Sequence, residues 1–142
     1  MNHASLFSGI GGFDLAAREV GWNNVFQCEI DPFCQSVLKY YFPKTVLYED
    51  IKRTDFTSWK GKIDVLTGGF PCQPFSVAGQ RKGADDNRYL WPEMLRVIRE
   101  TRPLWVIGEN WNNVYSDITL PSGDMGTIKV ERIDDEKKDE DV

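Results

Sequence analysis

Apolar positions in this chain fall into short runs, separated by stretches with helical spacing. Ala4 to Phe7 is a short apolar strand. The glycine turn Ser8 to Gly12 follows, and Phe13, Ala16, Ala17 and Val20 then recur along one helix face. Gly21 is placed to end that helix as its C′ residue. Val25 to Glu29 forms a second strand. Asp31 suits an N-cap and Pro32 the first helical position. Phe33, Val37 and Tyr40 or Tyr41 give the second helix its inner face, and Pro43 stops it. Val46 to Tyr48 is a third strand, and a short helical or irregular piece then runs through Thr57 and Trp59. Ile63 to Thr67 is the fourth strand. Residues 75–90 are a polar loop rich in Gly, Asp, Arg and Lys, and a loop that long inside a domain is usually functional or mobile. Pro92 opens a third helix to about Arg99, with Met94, Leu95 and Ile98 inward. Leu104 to Ile107 is the fifth strand. Strands alternating with helices predict an α/β, doubly wound, mostly parallel sheet. Beyond residue 110 the style changes. Ile118 to Leu120 and Thr127 to Ile133 flank a polar turn, Pro121-Ser122-Gly123-Asp124, which predicts a β-hairpin over residues 111–133. Residues 134–142 are charged and expected to fray.

The chain of 142 residues is the length of one domain, and its 41% hydrophobic and 13% aromatic content belongs to a folded globule. No apolar run is long enough for a membrane span. The segment Met1 to Ala4 lacks the basic start of a signal peptide. Cys28, Cys34 and Cys72 have neither disulfide nor zinc spacing, which points to a reducing cytoplasm and to no metal site. The net charge is −5, and residues 131–142, with seven acids and three bases, carry −4 of it. The near-neutral body can hold a local basic patch, but not strong non-specific binding to nucleic acid.

Two stretches carry candidate chemistry. Gly68 and Gly69 end the fourth strand in a sharp turn, and Pro71 and Pro74 stiffen the backbone on either side of Cys72. A thiol on a rigid turn at a strand's carboxyl end suits a nucleophile; a small buried hydrophobe is the other reading. Gly9-Ile10-Gly11-Gly12 lies between a strand and a helix, and Glu29 ends the next strand 20 residues beyond Gly9. Nucleotide-binding sheets place an acid there to accept from ribose hydroxyls. Asp14 stands where a dinucleotide fingerprint wants a small residue. Its charge beside a pyrophosphate would be unfavourable, so the turn suits a nucleoside without phosphates. Glu109 ends the fifth strand, expected beside the fourth.

Gly68-Gly69-Phe70-Pro71-Cys72-Gln73 closely resembles the Pro-Cys-Gln motif of the C5-cytosine DNA methyltransferases. Phe7 to Phe13 is similar to that family's first motif, Glu29-Ile30-Asp31 to its second, Asp50-Ile51 to its third and Glu109-Asn110 to its Glu-Asn-Val motif. The matches fall in the family's order and cover most of residues 4–110. The resemblance implies a Rossmann-like methyltransferase sheet and S-adenosylmethionine as cofactor. It puts Phe7, Ser8, Gly9, Gly11, Gly12 and Pro71 at the cofactor, Glu29 on the ribose, Ile30 on the adenine face, and Asp50 with Ile51 at the adenine amino group. It makes Cys72 the nucleophile toward cytosine C6, Glu109 the acid at N3 and Asn110 a brace for the Cys72 loop. The partner is DNA with its target base flipped out. Gln73, Ser76, Arg81, Lys82 and Arg88 are the DNA contacts that follow from it.

The resemblance stops after Asn110, where Trp111 stands in place of the family's Val. A Gln-Arg-Arg-type motif, a target-recognition region and the last cofactor-covering helix are not found. Residues 1–110 therefore read as an incomplete catalytic core, 111–133 as a divergent tail and 134–142 as an acidic terminus. Three readings stay open: a truncated methyltransferase, one subunit completed by a second chain, and a non-enzymatic module binding adenosylmethionine or a protein. An open sheet edge would add the option of a homodimer.

Overall fold

The structure is a computed structural model that describes residues 1–69 and 90–109, with Glu109 described by its backbone alone. Its elements run β1 (Asn2–Leu6), α1 (Gly12–Glu19), β2 (Asn23–Cys28), α2 (Pro32–Tyr41), β3 (Val46–Tyr48), two 3-10 turns (Ile51–Arg53 and Thr57–Trp59), β4 (Val65–Gly69), α3 (Trp91–Thr101) and β5 (Trp105–Glu109). The sheet order is β3-β2-β1-β4-β5, and every pairing among the described residues is parallel. This is the expected α/β sheet, with β5 beside β4. The predicted hairpin, the acidic terminus and almost all of the 75–90 loop lie outside the described residues.

The two faces of the sheet differ in chemistry. Ala4, Leu6, Phe26, Cys28 and Leu66 join Ile51, Phe56, Trp91, Met94, Val97 and Ile98 in one apolar core. Phe26 is fully buried there, with the rings of Phe56, Trp59 and Tyr48 centred 5.1, 5.3 and 5.8 Å away. α3 supplies this face as predicted: Met94 and Ile98 are buried and Leu95 packs partly. The alternate strand positions, His3, Ser5, Gln27 and Thr67, are buried on the α1 side.

Several boundaries and helix faces depart from expectation. β1 begins two residues earlier and ends at Leu6, because Phe7 takes a left-handed φ of 52° that no strand continues. β4 starts at Val65 and β5 at Trp105, with Leu104 largely exposed. On α1 the buried residues are Asp14 and Ala17, whereas Ala16 and Val20 face out. The predicted stripe is rotated because Asp14 finds buried hydrogen-bond donors under the helix. On α2 the inner positions are Leu38 and the C-cap Phe42, with Val37 half-buried, while Phe33, Tyr40 and Tyr41 are exposed. Leu38 and Phe42 close against Gly11, where only a hydrogen atom fits: an added Cβ would lie 2.9 Å from Leu38 Cδ2 and 2.8 Å from Phe42 Cε2.

Helix ends follow their local chemistry. Past the C-cap Val20, Gly21 takes φ 78°; its N–H reaches the Arg18 carbonyl and that of Trp22 the Ala17 carbonyl, a Schellman ending. Asp31 caps α2 by accepting from the Cys34 N–H, with Pro32 at the first position. Among the described residues no helix is long and apolar enough to cross a membrane.

Candidate cofactor site

The carboxyl ends of β1, β2 and β4 lie level, since Leu6 pairs with both Cys28 and Gly68. The turn after β1 leaves this rim with three unusual φ values: Phe7 at 52°, Gly9 at 55° and Gly11 at 92°. Left-handed backbone is tolerated by glycine and costs a phenylalanine about 1–2 kcal/mol. The turn is held from below by Ser8. Its hydroxyl lies 2.7 Å from Ser5 Oγ and accepts from the Cys28 N–H at 3.2 Å. The Ser8 N–H donates to the Cys28 carbonyl at 3.1 Å, and the Gly11 N–H to the Ser8 carbonyl at 2.9 Å. Ser8 thus binds the turn to β2 and has its side chain turned inward.

Glu29 follows β2 and reaches back to this turn. One carboxylate oxygen accepts from the Gly9 N–H at 2.7 Å and the other from the Asp31 N–H at 2.9 Å. Each oxygen keeps a lone pair, so Glu29 can accept two further hydroxyl donors without releasing either amide. Ile10 and Ile30 stand 62% and 71% exposed on the segments bearing these groups, as apolar surface for a planar ring. Asp50 caps the first 3-10 turn, with Oδ1 accepting from the Lys52 N–H at 2.9 Å. Ile51 turns its side chain into the core, so its backbone is what it offers at the rim. The Glu29 N–H donates to the Tyr48 carbonyl at 3.0 Å, which ties the strands leading to the two acids together.

Glu109 lies at the carboxyl end of β5, paired in register with Gly69, three residues before Cys72. Pro71, Cys72, Gln73, Ser76, Arg81, Lys82, Arg88 and Asn110 lie outside the described residues. Cys28 is a packing residue: burial first, then the Glu29 and Asp50 charges, push its thiol up to about 12. Such a thiol is inert as a nucleophile at neutral pH. Among the described residues no group of three His, Cys, Asp or Glu side chains could hold a metal ion.

Two clusters escaped the sequence reading. The first lies under α1. His3 and Asp14 are fully buried, with Nδ1 and Oδ1 3.9 Å apart. His3 Nδ1 faces Asn24 Oδ1 at 2.7 Å and Nε2 faces Thr67 Oγ1 at 2.9 Å. The Ser5 hydroxyl donates to Asp14 at 2.9 Å, and the Asn24 amide donates to the Asp14 carbonyl at 2.8 Å. Burial lowers the His3 pKa and raises that of Asp14. Gln27 Nε2, buried without a partner at full hydrogen-bond geometry, still lies close enough to Asp14 to offset part of that rise. Asp14 therefore points into the fold, and its carboxylate does not guard the mouth of the glycine turn against phosphates. The signal was present as polar residues at alternating positions of three neighbouring strands. The second cluster joins Arg96 to Glu93 and Glu100 on α3, at 2.9 and 2.7 Å. Its i,i+3 and i,i+4 spacing was readable in the sequence.

A parallel sheet with a glycine turn, a following acid and a second acid one strand further defines an α/β methyltransferase fold. The chain belongs to the C-5 cytosine-specific DNA methylase family, whose model matches residues 1–119. It is 43% identical over 107 residues to the type II methyltransferase M.PspPI of a Psychrobacter species, covering 74% of this chain and 26% of that protein. It is 39% identical over 119 residues to M.AquIA of a Picosynechococcus species, covering 75% of this chain and 46% of that one. Among solved structures it resembles a protein described as a DNA modification methyltransferase encoded within an Escherichia coli prophage. There the TM-score is 0.62 at 31% identity, over 76% of this chain and 31% of that chain. The chain thus spans between about a quarter and under half the length of these relatives.

Proposed function

We propose that residues 1–110 form the cofactor-binding and nucleophile-bearing part of a DNA (cytosine-5) methyltransferase that uses S-adenosylmethionine. The observation that carries this is Glu29, held by the Gly9 and Asp31 amides with acceptor capacity left over. It stands at the rim of a sheet whose β5 ends in Glu109, paired with Gly69 at the end of β4. The residues present fit the cofactor: Glu29 accepts from the ribose hydroxyls, Ile30 covers the adenine and Asp50 accepts from its amino group. When bound, the cofactor supplies an electrophilic methyl group.

The chain's own residues prepare the cytosine. Cys72, as thiolate, forms a bond from Sγ to C6, and the C5–C6 π electrons become available at C5. Glu109 donates a proton to N3 as charge develops on the ring. After methyl transfer a base removes the C5 proton, the C6–S bond breaks to return Cys72 as thiolate, the ring double bond returns and the N3 proton goes back to Glu109. Asn110 braces the Cys72 loop, and Arg81, Lys82 and Arg88 bind phosphates.

The test uses an unpaired oligonucleotide carrying 5-fluorocytosine, which spares the cost of base flipping. Fluorine cannot leave C5 as a proton, so the covalent complex accumulates. With adenosylmethionine present, the wild-type chain gives a shifted band on a denaturing gel. Cys72→Ser abolishes it and Glu109→Gln slows it. A wild-type chain that binds adenosylmethionine and the oligonucleotide yet traps nothing refutes the catalytic reading.

A further inference from the structure

The 3-10 turn that carries Asp50 is too short to hold itself. Its three residues leave their terminal carbonyls without partners inside the helix. Besides the Lys52 N–H on Asp50 Oδ1, its internal ties include the Thr54 hydroxyl and the Arg53 N–H, both donating to the Asp50 carbonyl, at 2.7 and 3.2 Å. Two further carbonyls, those of Ile51 and Thr54, are taken up from α3, more than 40 residues away in sequence. Arg96 Nη2 donates to the Ile51 carbonyl and Nη1 to the Thr54 carbonyl at 3.2 Å. The guanidinium is itself fixed by Glu93 at Nε and Glu100 at Nη1. The second Glu100 oxygen accepts from the Phe56 N–H at 3.0 Å, so α3 grips the segment beyond the turn as well.

We propose that Arg96 is a positioning residue for cofactor recognition, holding the Asp50–Thr54 turn in the shape that presents the Asp50 carboxylate to an exocyclic amino group. The inference rests on the reading of Asp50 given above. Its force is geometric. A planar guanidinium reaches two carbonyls and two carboxylates at once, whereas an ammonium is a single point charge. Arg96 is about one-third exposed, so its ion pairs with Glu93 and Glu100 are screened and add little stability by themselves. What they add is orientation.

The test measures discrimination, which a purely structural role leaves alone. Dissociation constants are taken by calorimetry for S-adenosylmethionine and for its inosyl counterpart, in which an oxygen replaces the amino group. Wild type prefers the amino form by about tenfold or more, and Asp50→Ala removes the preference. Arg96→Met and Arg96→Lys each bring the preference to within about twofold of unity, and adding Asp50→Ala to either changes it no further. If Arg96→Met weakens both cofactors by the same factor, Arg96 is scaffold alone and the inference falls. If wild type shows no preference and Asp50→Ala changes nothing, the reading of Asp50 fails and the inference fails with it. Should Arg96→Met not fold, Glu100→Ala, which removes the acceptor on one side of the guanidinium, lowers the preference in the same direction. An unchanged preference in that variant also overturns the proposal.

Discussion

The two faces of the sheet are held by different physics. Under α3 the contacts are aromatic and aliphatic, from Phe26, Phe56, Leu66 and Met94, and they gain by leaving water. Under α1 the same strands present His3, Ser5, Gln27 and Thr67, all buried. There the polar groups must satisfy one another, and close fit at Gly11 does much of the packing. The apolar face supplies bulk stability, and the polar face fixes the shape of the turn that forms the candidate site. Ser5 links the polar face to that turn: it donates to Asp14 and touches Ser8.

The comparison breaks most sharply at Phe26. Phe26→Ala removes a ring packed among three others, and the expected loss is about 3–5 kcal/mol by urea denaturation. Because Phe26 faces α3, away from the Ser5–Ser8–Asp14 contacts that hold the turn, folded variant protein retains its cofactor affinity. On the other face the order of effects reverses. Gly11→Ala forces a side chain onto φ 92° and against Leu38 and Phe42. Strain and overpacking together cost about 2–4 kcal/mol. Here the turn itself is displaced, so cofactor affinity falls along with stability. If both variants lose affinity in proportion to stability, the division of labour between the faces is wrong.

The apolar face was legible because its residues obey simple periodicity: Met94 and Ile98 in the helix, Phe26 and Leu66 in the strands. Glu29 was legible too, since the acid at the end of β2 answers a local chain of a strand, a glycine turn and a helix. Asp14 was misread because burial of a carboxylate depends on His3, Ser5 and Asn24, which only the folded sheet brings beneath it. The inner face of α2 was misplaced for a related reason. Phe33 and Tyr40 are large aromatic residues at helical spacing, yet it is Gly11 that decides which side of α2 can approach. Arg96 was readable as a helix ion pair, but its grip on the Asp50 turn spans 45 residues and leaves no local trace.

The smallest effect distinguishes the faces by pH. His3 is the chain's single histidine, so the imidazole titration between pH 5.5 and 7.5 belongs to it. Burial lowers its folded pKa below the ordinary 6.5, hence the unfolded chain binds the extra proton first. Stability from this group is fully present above pH 6.5 and is lost as pH falls toward the folded value. Asp14 runs the other way. Its folded pKa is raised above the ordinary 3.8, so its contribution is full below that value and is lost as pH rises through the folded one. Between the two ordinary values the slopes oppose, so replacing His3 alone separates them. Unfolding by urea at pH 7.5, 6.5 and 5.5 should show wild type losing stability on acidification, by at most about 1.4 kcal/mol per pH unit for one proton. His3→Gln keeps a polar side chain beneath α1 and removes the titration, so its profile is flatter over the same interval. Phe26→Ala lowers the whole curve but leaves its slope, because the apolar face carries no such group. Parallel curves for wild type and His3→Gln would mean that the buried imidazole titrates alike in both states, and that the polar face is not the pH-sensitive one.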